Sequence, residues 1–162
     1  MRTTRRPPGP VAATPPADAF GVFGKYGVEE ATYWTTLLAD NGDVSPTYNA
    51  FAMYRNYDGN GGHFGDYAVC ATTTNVDLSI YAAVDSPSSP STLWIMLINK
   101  TGTAQDDLTP SIASFAPGPT VKIYQSIGTT GPHALPDLAV TNGGLTISLP
   151  VRSINLLVAA TT

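Results

Sequence analysis

From Tyr67 onward, apolar and polar positions alternate with a period of two, the mark of half-buried β-strands. In "VDLSIYAAV", Val76, Leu78, Ile80, Ala82 and Val84 share one face. "LTISL" turns Leu145, Ile147 and Leu149 inward and leaves Thr146 and Ser148 outside. "TVKIYQ" aligns Val121 with Ile123, and "SINLLVA" aligns Ile154, Leu156 and Val158. "TLWIMLI" differs: Leu93, Ile95 and Leu97 oppose Trp94, Met96 and Ile98, so both faces are apolar. That pattern predicts a central strand with something packed on its second face. "DDLTPSIASF" contains Pro110, which confines it to an edge or a bulge. Seven or eight short strands separated by turns predict an antiparallel β-sandwich over residues 67–162.

Before residue 67 the period is helical. Ala17, Phe20, Gly21 and Gly24 recur at helical spacing over residues 17–26, and Gly27 stands where a C′ residue belongs. A second helix is predicted over 45–57. Ser45 suits its N-cap, Pro46 its first position, and Tyr48, Phe51, Ala52 and Arg55 follow at three- and four-residue steps, with Gly59 as its end. Between them "VEEATYW", residues 28–34, predicts a short strand, and 35–44 a polar loop. A lone strand between two helices has no partner in its own segment, so its backbone groups need pairing from elsewhere. The expected organisation is a disordered Pro-rich lead (1–16), a helix-strand-helix unit from a larger parallel barrel or sheet (17–66), and the sandwich (67–162).

Composition narrows the partners. Only 12% of the 162 residues are charged, beside 15 Gly and 14 Pro, which suits a turn-rich β protein. Residues 20–162 carry five basic and eleven acidic groups, a surface that repels phosphate backbones and argues against nucleic-acid binding. No apolar run is long enough for a membrane span. The basic start lacks the apolar core of a signal peptide. The single cysteine, Cys70, allows no internal disulfide, and a small buried thiol is expected. "NKT" at Asn99 matches a glycosylation acceptor but falls at a strand end.

Both glutamates of the chain are adjacent, Glu29 and Glu30. Two carboxyls that work as an acid–base pair must face the same substrate. Successive strand residues point to opposite faces, so this pair is not expected to be catalytic. Asp58, Asn60 and Asp66 offer oxygen ligands without the terminal glutamate and spacing of a calcium loop. His63 and His133 stand in separate Gly/Pro loops with no cysteine partner, which makes no zinc site. Without a G-x-S-x-G elbow no serine nucleophile is indicated. No catalytic residue, metal site or cofactor is expected in this chain.

"ADAFGVFGKYGVEEATYW", "TYNAFAMYRNYDGNGGHFGD", "SIYAAV", "WIMLINK" and "PVRSINLLV", in that order, resemble the C-terminal part of glycoside hydrolase family 44. "MYRNYDG" followed by "FGD" is the most specific stretch. The resemblance covers roughly residues 17–160. It implies endoglucanases and xyloglucanases built from a (β/α)8 barrel with a β-sandwich, residues 17–26 being the seventh barrel helix, 28–34 the eighth strand and 45–57 the eighth helix. The family's catalytic glutamates lie on earlier strands with no counterpart here. This chain would then be a C-terminal fragment, inactive by itself, of an extracellular enzyme acting on β-1,4-glucans. Barrel active sites sit at strand C-termini, so Trp34 and Tyr33 are the expected sugar contacts. The alternative is a non-catalytic β-sandwich that binds carbohydrate. With the barrel absent, self-association through exposed apolar surface is expected.

Overall fold

The computed structural model describes residues 13–34, 37–38 and 44–161. Most of the expected lead, residues 1–12, lies outside them, and Thr14, Pro15 and Pro16 are already helical. Helix α1 spans Thr14–Tyr26. The first-turn prolines cost it nothing, because those N–H groups would be unpaired in any helix. Gly27, at φ 67°, closes α1: its N–H donates to the Gly24 carbonyl and that of Val28 to the Phe23 carbonyl. This paired closure is the Schellman motif. Helix α2 spans Pro46–Arg55, and Ser45 caps it by accepting the Tyr48 N–H at 3.2 Å.

The expected strand at 28–34 does not form. The segment has no strand pairing, and every residue in it is exposed. The reason is the one its pattern foreshadowed: with no neighbouring strand among the described residues, an extended backbone is better hydrated than left unpaired.

The remainder is antiparallel β, eight strands among the described residues. They are β1 (Tyr67–Val69), β2 (Leu78–Val84), β3 (Thr92–Asn99), β4 (Gln105–Leu108), β5 (Thr120–Ile127), β6 (Thr130–Ala139), β7 (Ile147–Leu149) and β8 (Ser153–Ala160). Six form one sheet in the order β1-β2-β3-β8-β5-β6, and β4 with β7 forms a small second sheet. The fold class is thus mainly β, as the alternation predicts. Strand β4 ends before Pro110 and carries an irregular register between Gln105 and Leu108, in keeping with its edge position.

The large sheet is covered on both faces. Leu93, Ile95 and Leu97 of β3 join Leu78, Ala82, Val121, Ile123 and Leu157, under Leu145, Ile147 and Leu149 of the small-sheet side. Met96 and Ile98 face the other way with Ile154 and Leu156, and Ala13, Ala17, Ala50 and Met53 of the helical segment seal them. The doubly apolar pattern of β3 therefore reports the helices as its second cover. Ala13, Ala17 and Gly21 recur every four residues and let α1 lie close to the sheet. Each large side chain buried this way contributes roughly 1.5–3 kcal/mol.

Two expected core residues lie elsewhere. Val76 is 85% exposed, because it precedes β2 in a turn. In α2 the buried positions are Thr47, Asn49, Ala50 and Met53, whereas Tyr48 points outward.

Polar side chains are buried at one end of the sheet. Gln125 Nε2 donates to Asn155 Oδ1 at 2.8 Å, and Asn155 Nδ2 donates to Ser153 Oγ at 2.8 Å. Beside them Asn99, fully buried, donates from Nδ2 to the carbonyls of Thr103 (2.7 Å), Pro150 (2.9 Å) and Leu149 (3.4 Å). Its Oδ1 accepts from the backbone N–H and hydroxyl of Thr101, both at 3.0 Å. The acceptor nitrogen of the "NKT" pattern is committed inside the fold.

Candidate functional site

The α1–α2 connection presents the aromatic pair. Tyr33 is half exposed; its hydroxyl donates to Thr47 Oγ1 at 3.3 Å, and its ring meets Phe51 edge-on with centroids 6.0 Å apart. It is therefore fixed over the first turn of α2. The adjacent Trp34 is 95% exposed. An indole carries a large apolar surface and normally finds cover in a fold that uses it for packing. Here it is held out into solvent.

The other chemically suggestive residues are not drawn together. Glu29 and Glu30 are exposed on the same irregular segment. Asp58 is a loop former: its Oδ1 accepts the N–H groups of Asn60 and Gly62, both at 2.8 Å. Those bonds stabilise the carboxylate and lower its pKa. Gly59 and Gly61, at φ 76° and 86°, let the chain turn around it. His63 Nδ1 stands 3.9 Å from Asp66 on the surface, and His133 is exposed in β6. Among the described residues no three His, Cys, Asp or Glu side chains converge as a metal site would require. Likewise, no described helix is long and apolar enough to cross a membrane.

Cys70 is exposed, contrary to the buried thiol expected from its apolar neighbours. Strand β1 is an edge strand that ends at Val69, so residue 70 leaves the sheet rather than entering its core. It borders a cavity of about 460 Å³ between α1, the segment before β1, and β2, lined by Phe20, Tyr54, Phe64 and Tyr81 with Lys25. The cavity's two phenols are already engaged. Tyr54 donates to the Ala17 carbonyl at 3.0 Å and Tyr81 to Asp18 Oδ1 at 2.5 Å. Burial, then the neighbouring Asp18, raise the pKa of Tyr81; burial, then Tyr81 and Asp18, raise that of Tyr54. With both phenols committed, the aromatic side of this cavity offers apolar surface rather than a reactive hydroxyl. The sequence holds a signal for it in the small residues Gly21 and Gly24 beside aromatics, but the strand residue that meets Gly21, Tyr81, is remote in the chain.

No family model matches the chain. It is 46% identical over 85 residues to endoglucanase A of Paenibacillus lautus, a match covering 52% of this chain and 11% of that protein. Its fold superposes on CelM2, a bifunctional glucanase-xylanase from a metagenome library, with TM-score 0.81 and 35% identity over 93% of this chain and 28% of that one. A family 44 xyloglucanase of Paenibacillus polymyxa, solved with xyloglucan, gives TM-score 0.76 and 26% identity over 93% of this chain and 29% of that one. The chain thus spans less than a third of each of these proteins. In both sequence and fold it is related to glycoside hydrolase family 44, and its match is consistent with a C-terminal part of those enzymes.

Proposed function

We propose that this chain works as the C-terminal portion of a glycoside hydrolase acting on β-1,4-glucans such as cellulose or xyloglucan. Residues 17–66 are the end of its (β/α)8 barrel and residues 67–162 its sandwich. The acid and the nucleophile come from elsewhere in the enzyme, and Trp34 with Tyr33 contacts the sugar. The enzyme is extracellular, where its polymeric substrate is.

The observation that carries this reading is the exposure of Trp34 beside a tethered Tyr33. Pyranose rings offer flat C–H faces that pack on aromatic rings, and an exposed indole next to a fixed phenol is ready to receive one. The glucanase and xyloglucanase relatives support the substrate class. A non-catalytic carbohydrate-binding sandwich is the second reading. The two helices sealed into the core favour the first, since a binding module does not need them.

The isolated chain is expected to release no reducing sugar from carboxymethylcellulose or xyloglucan. Turnover by a pure preparation, abolished by Glu29→Gln or Glu30→Gln, would contradict the assignment of the chemistry to another part of the enzyme. Self-association through the exposed apolar side chains is also expected. Sedimentation velocity should show mass rising with concentration, and a monomer at every concentration would refute it.

A further inference from the structure

An asparagine followed by glycine lets a backbone nitrogen attack a side-chain amide with little hindrance, because glycine has no Cβ to obstruct the approach. Three such pairs occur in the chain: Asn41–Gly42, Asn60–Gly61 and Asn142–Gly143. The first lies outside the described residues. The other two are both exposed but are held differently. Asn60 is tied at two points: its N–H donates to Asp58 Oδ1 at 2.8 Å and its Nδ2 to the Asp58 carbonyl at 3.1 Å. The nitrogen that would attack it, that of Gly61, donates to Asn56 Oδ1 at 2.7 Å. Asn142 and Gly143 are the central residues of a hairpin turn, at φ 53° and 74°, the positive pair of a type I′ turn. Thr141 and Gly144 close it, each N–H donating to the other's carbonyl, at 2.8 and 3.0 Å. That pair is an isolated bridge between β6 and β7, so rotation at the tip disturbs no strand ladder. Among the described residues nothing binds the Asn142 side chain or the Gly143 N–H.

We propose that Asn142 is a site of spontaneous deamidation, a covalent modification with water as the only co-reactant. Solvent hydroxide takes the Gly143 amide proton, and the nitrogen forms a bond to Asn142 Cγ. The Cγ–Nδ2 bond breaks, and Nδ2 takes a proton from water and leaves as ammonia, which regenerates the hydroxide. Water then opens the cyclic imide at either carbonyl. Cleavage of the new bond to Cγ gives aspartate. Cleavage of the original bond to the Asn142 backbone carbonyl carbon gives isoaspartate, whose main chain runs through the side chain. Either product adds a negative charge to the turn between β6 and β7. At Asn60 the same step requires the Gly61 N–H to leave Asn56 and the bonds to Asp58 to open first.

The two described pairs fall in different tryptic peptides, 56–100 and 123–152, and Asn41 falls in a third, 26–55, so each is read separately. The folded chain, held at mildly alkaline pH and sampled over time, can be digested briefly and mapped by mass spectrometry. Asn142 should convert to a mixture of aspartate and isoaspartate at least about tenfold faster than Asn60, the scale of the hydrogen bonds that Asn60 and Gly61 must break. In urea, where those bonds are lost, the two rates should converge. Asn56→Ala, which frees the Gly61 N–H, should speed conversion at Asn60 and leave Asn142 unchanged. Equal rates at the two sites in the folded wild type overturn the inference. So does an Asn142 peptide that stays intact in the folded chain while it converts in urea.

Discussion

Asn99→Asp should lower the unfolding free energy by about 3–5 kcal/mol, the scale for leaving a buried charge uncompensated. The amide of Asn99 is the donor for three carbonyls, those of Thr103, Leu149 and Pro150, and its burial is complete. Aspartate keeps the acceptor that Thr101 uses but replaces the donor with a second oxygen facing those carbonyls. They lose their partner, and the carboxylate must either be buried charged or take up a proton. Against a total stability of roughly 5–15 kcal/mol this is a large fraction. Urea unfolding followed by circular dichroism measures it. A change within about 1 kcal/mol, the size of an ordinary exposed hydrogen bond, would mean that the amide does not tie the end of β3 to the turn after it. The same burial predicts that the folded chain carries no glycan at Asn99.

Gly21→Ala should destabilise the protein by about 1–3 kcal/mol, the usual cost of overpacking. The sign is the test. In a helix interior alanine is favoured over glycine by about 1 kcal/mol, so an uncrowded site would be stabilised. A Cβ at residue 21 would run into the Tyr81 ring. That ring cannot easily retreat, because its hydroxyl is held by Asp18. Gly24, in the same helix, has no neighbour within 4 Å of the added carbon. Gly24→Ala should therefore stabilise, and thermal melts of the two variants should move in opposite directions. Movement in the same direction would show that α1 is not seated on Tyr81.

What could be read from the sequence followed from periodicity. Alternation identifies the buried faces of β5 and β7, where period two is enforced, whereas β3 and β8 lie between two covers and read as nearly continuous apolar runs. Strand β6 has no such signal. Pro132 and Pro136 interrupt it, and both are tolerated because β6 is an edge strand with an irregular register against β5. Residues 28–34 show the opposite failure. Their β-branched and aromatic residues suit a strand, but propensity cannot supply a partner to pair with. In α2, three- and four-residue spacing suggests an apolar face through Tyr48 and Phe51. The buried side is instead Thr47, Ala50 and Met53, because the sheet accepts small and flexible side chains there. Of the candidate site, Trp34 and Tyr33 stand out as a sequence pair. Their difference, one ring tethered and one free of cover, depends on Thr47 and Phe51 and emerges only in the fold.

The most direct test of the glucan-contact assignment is the kinetics of Trp34→Ala in an enzyme that carries this chain together with its catalytic part. If the exposed indole stacks on sugar, kcat/KM for long oligosaccharides should fall about ten- to a hundredfold, since each 1.4 kcal/mol is about tenfold. The melting temperature should hardly change, because a ring 95% exposed contributes little to the core. Unchanged kinetics in the folded variant, with a collapse of the melting temperature, would place Trp34 in the packing of the whole enzyme and contradict its role as a sugar contact.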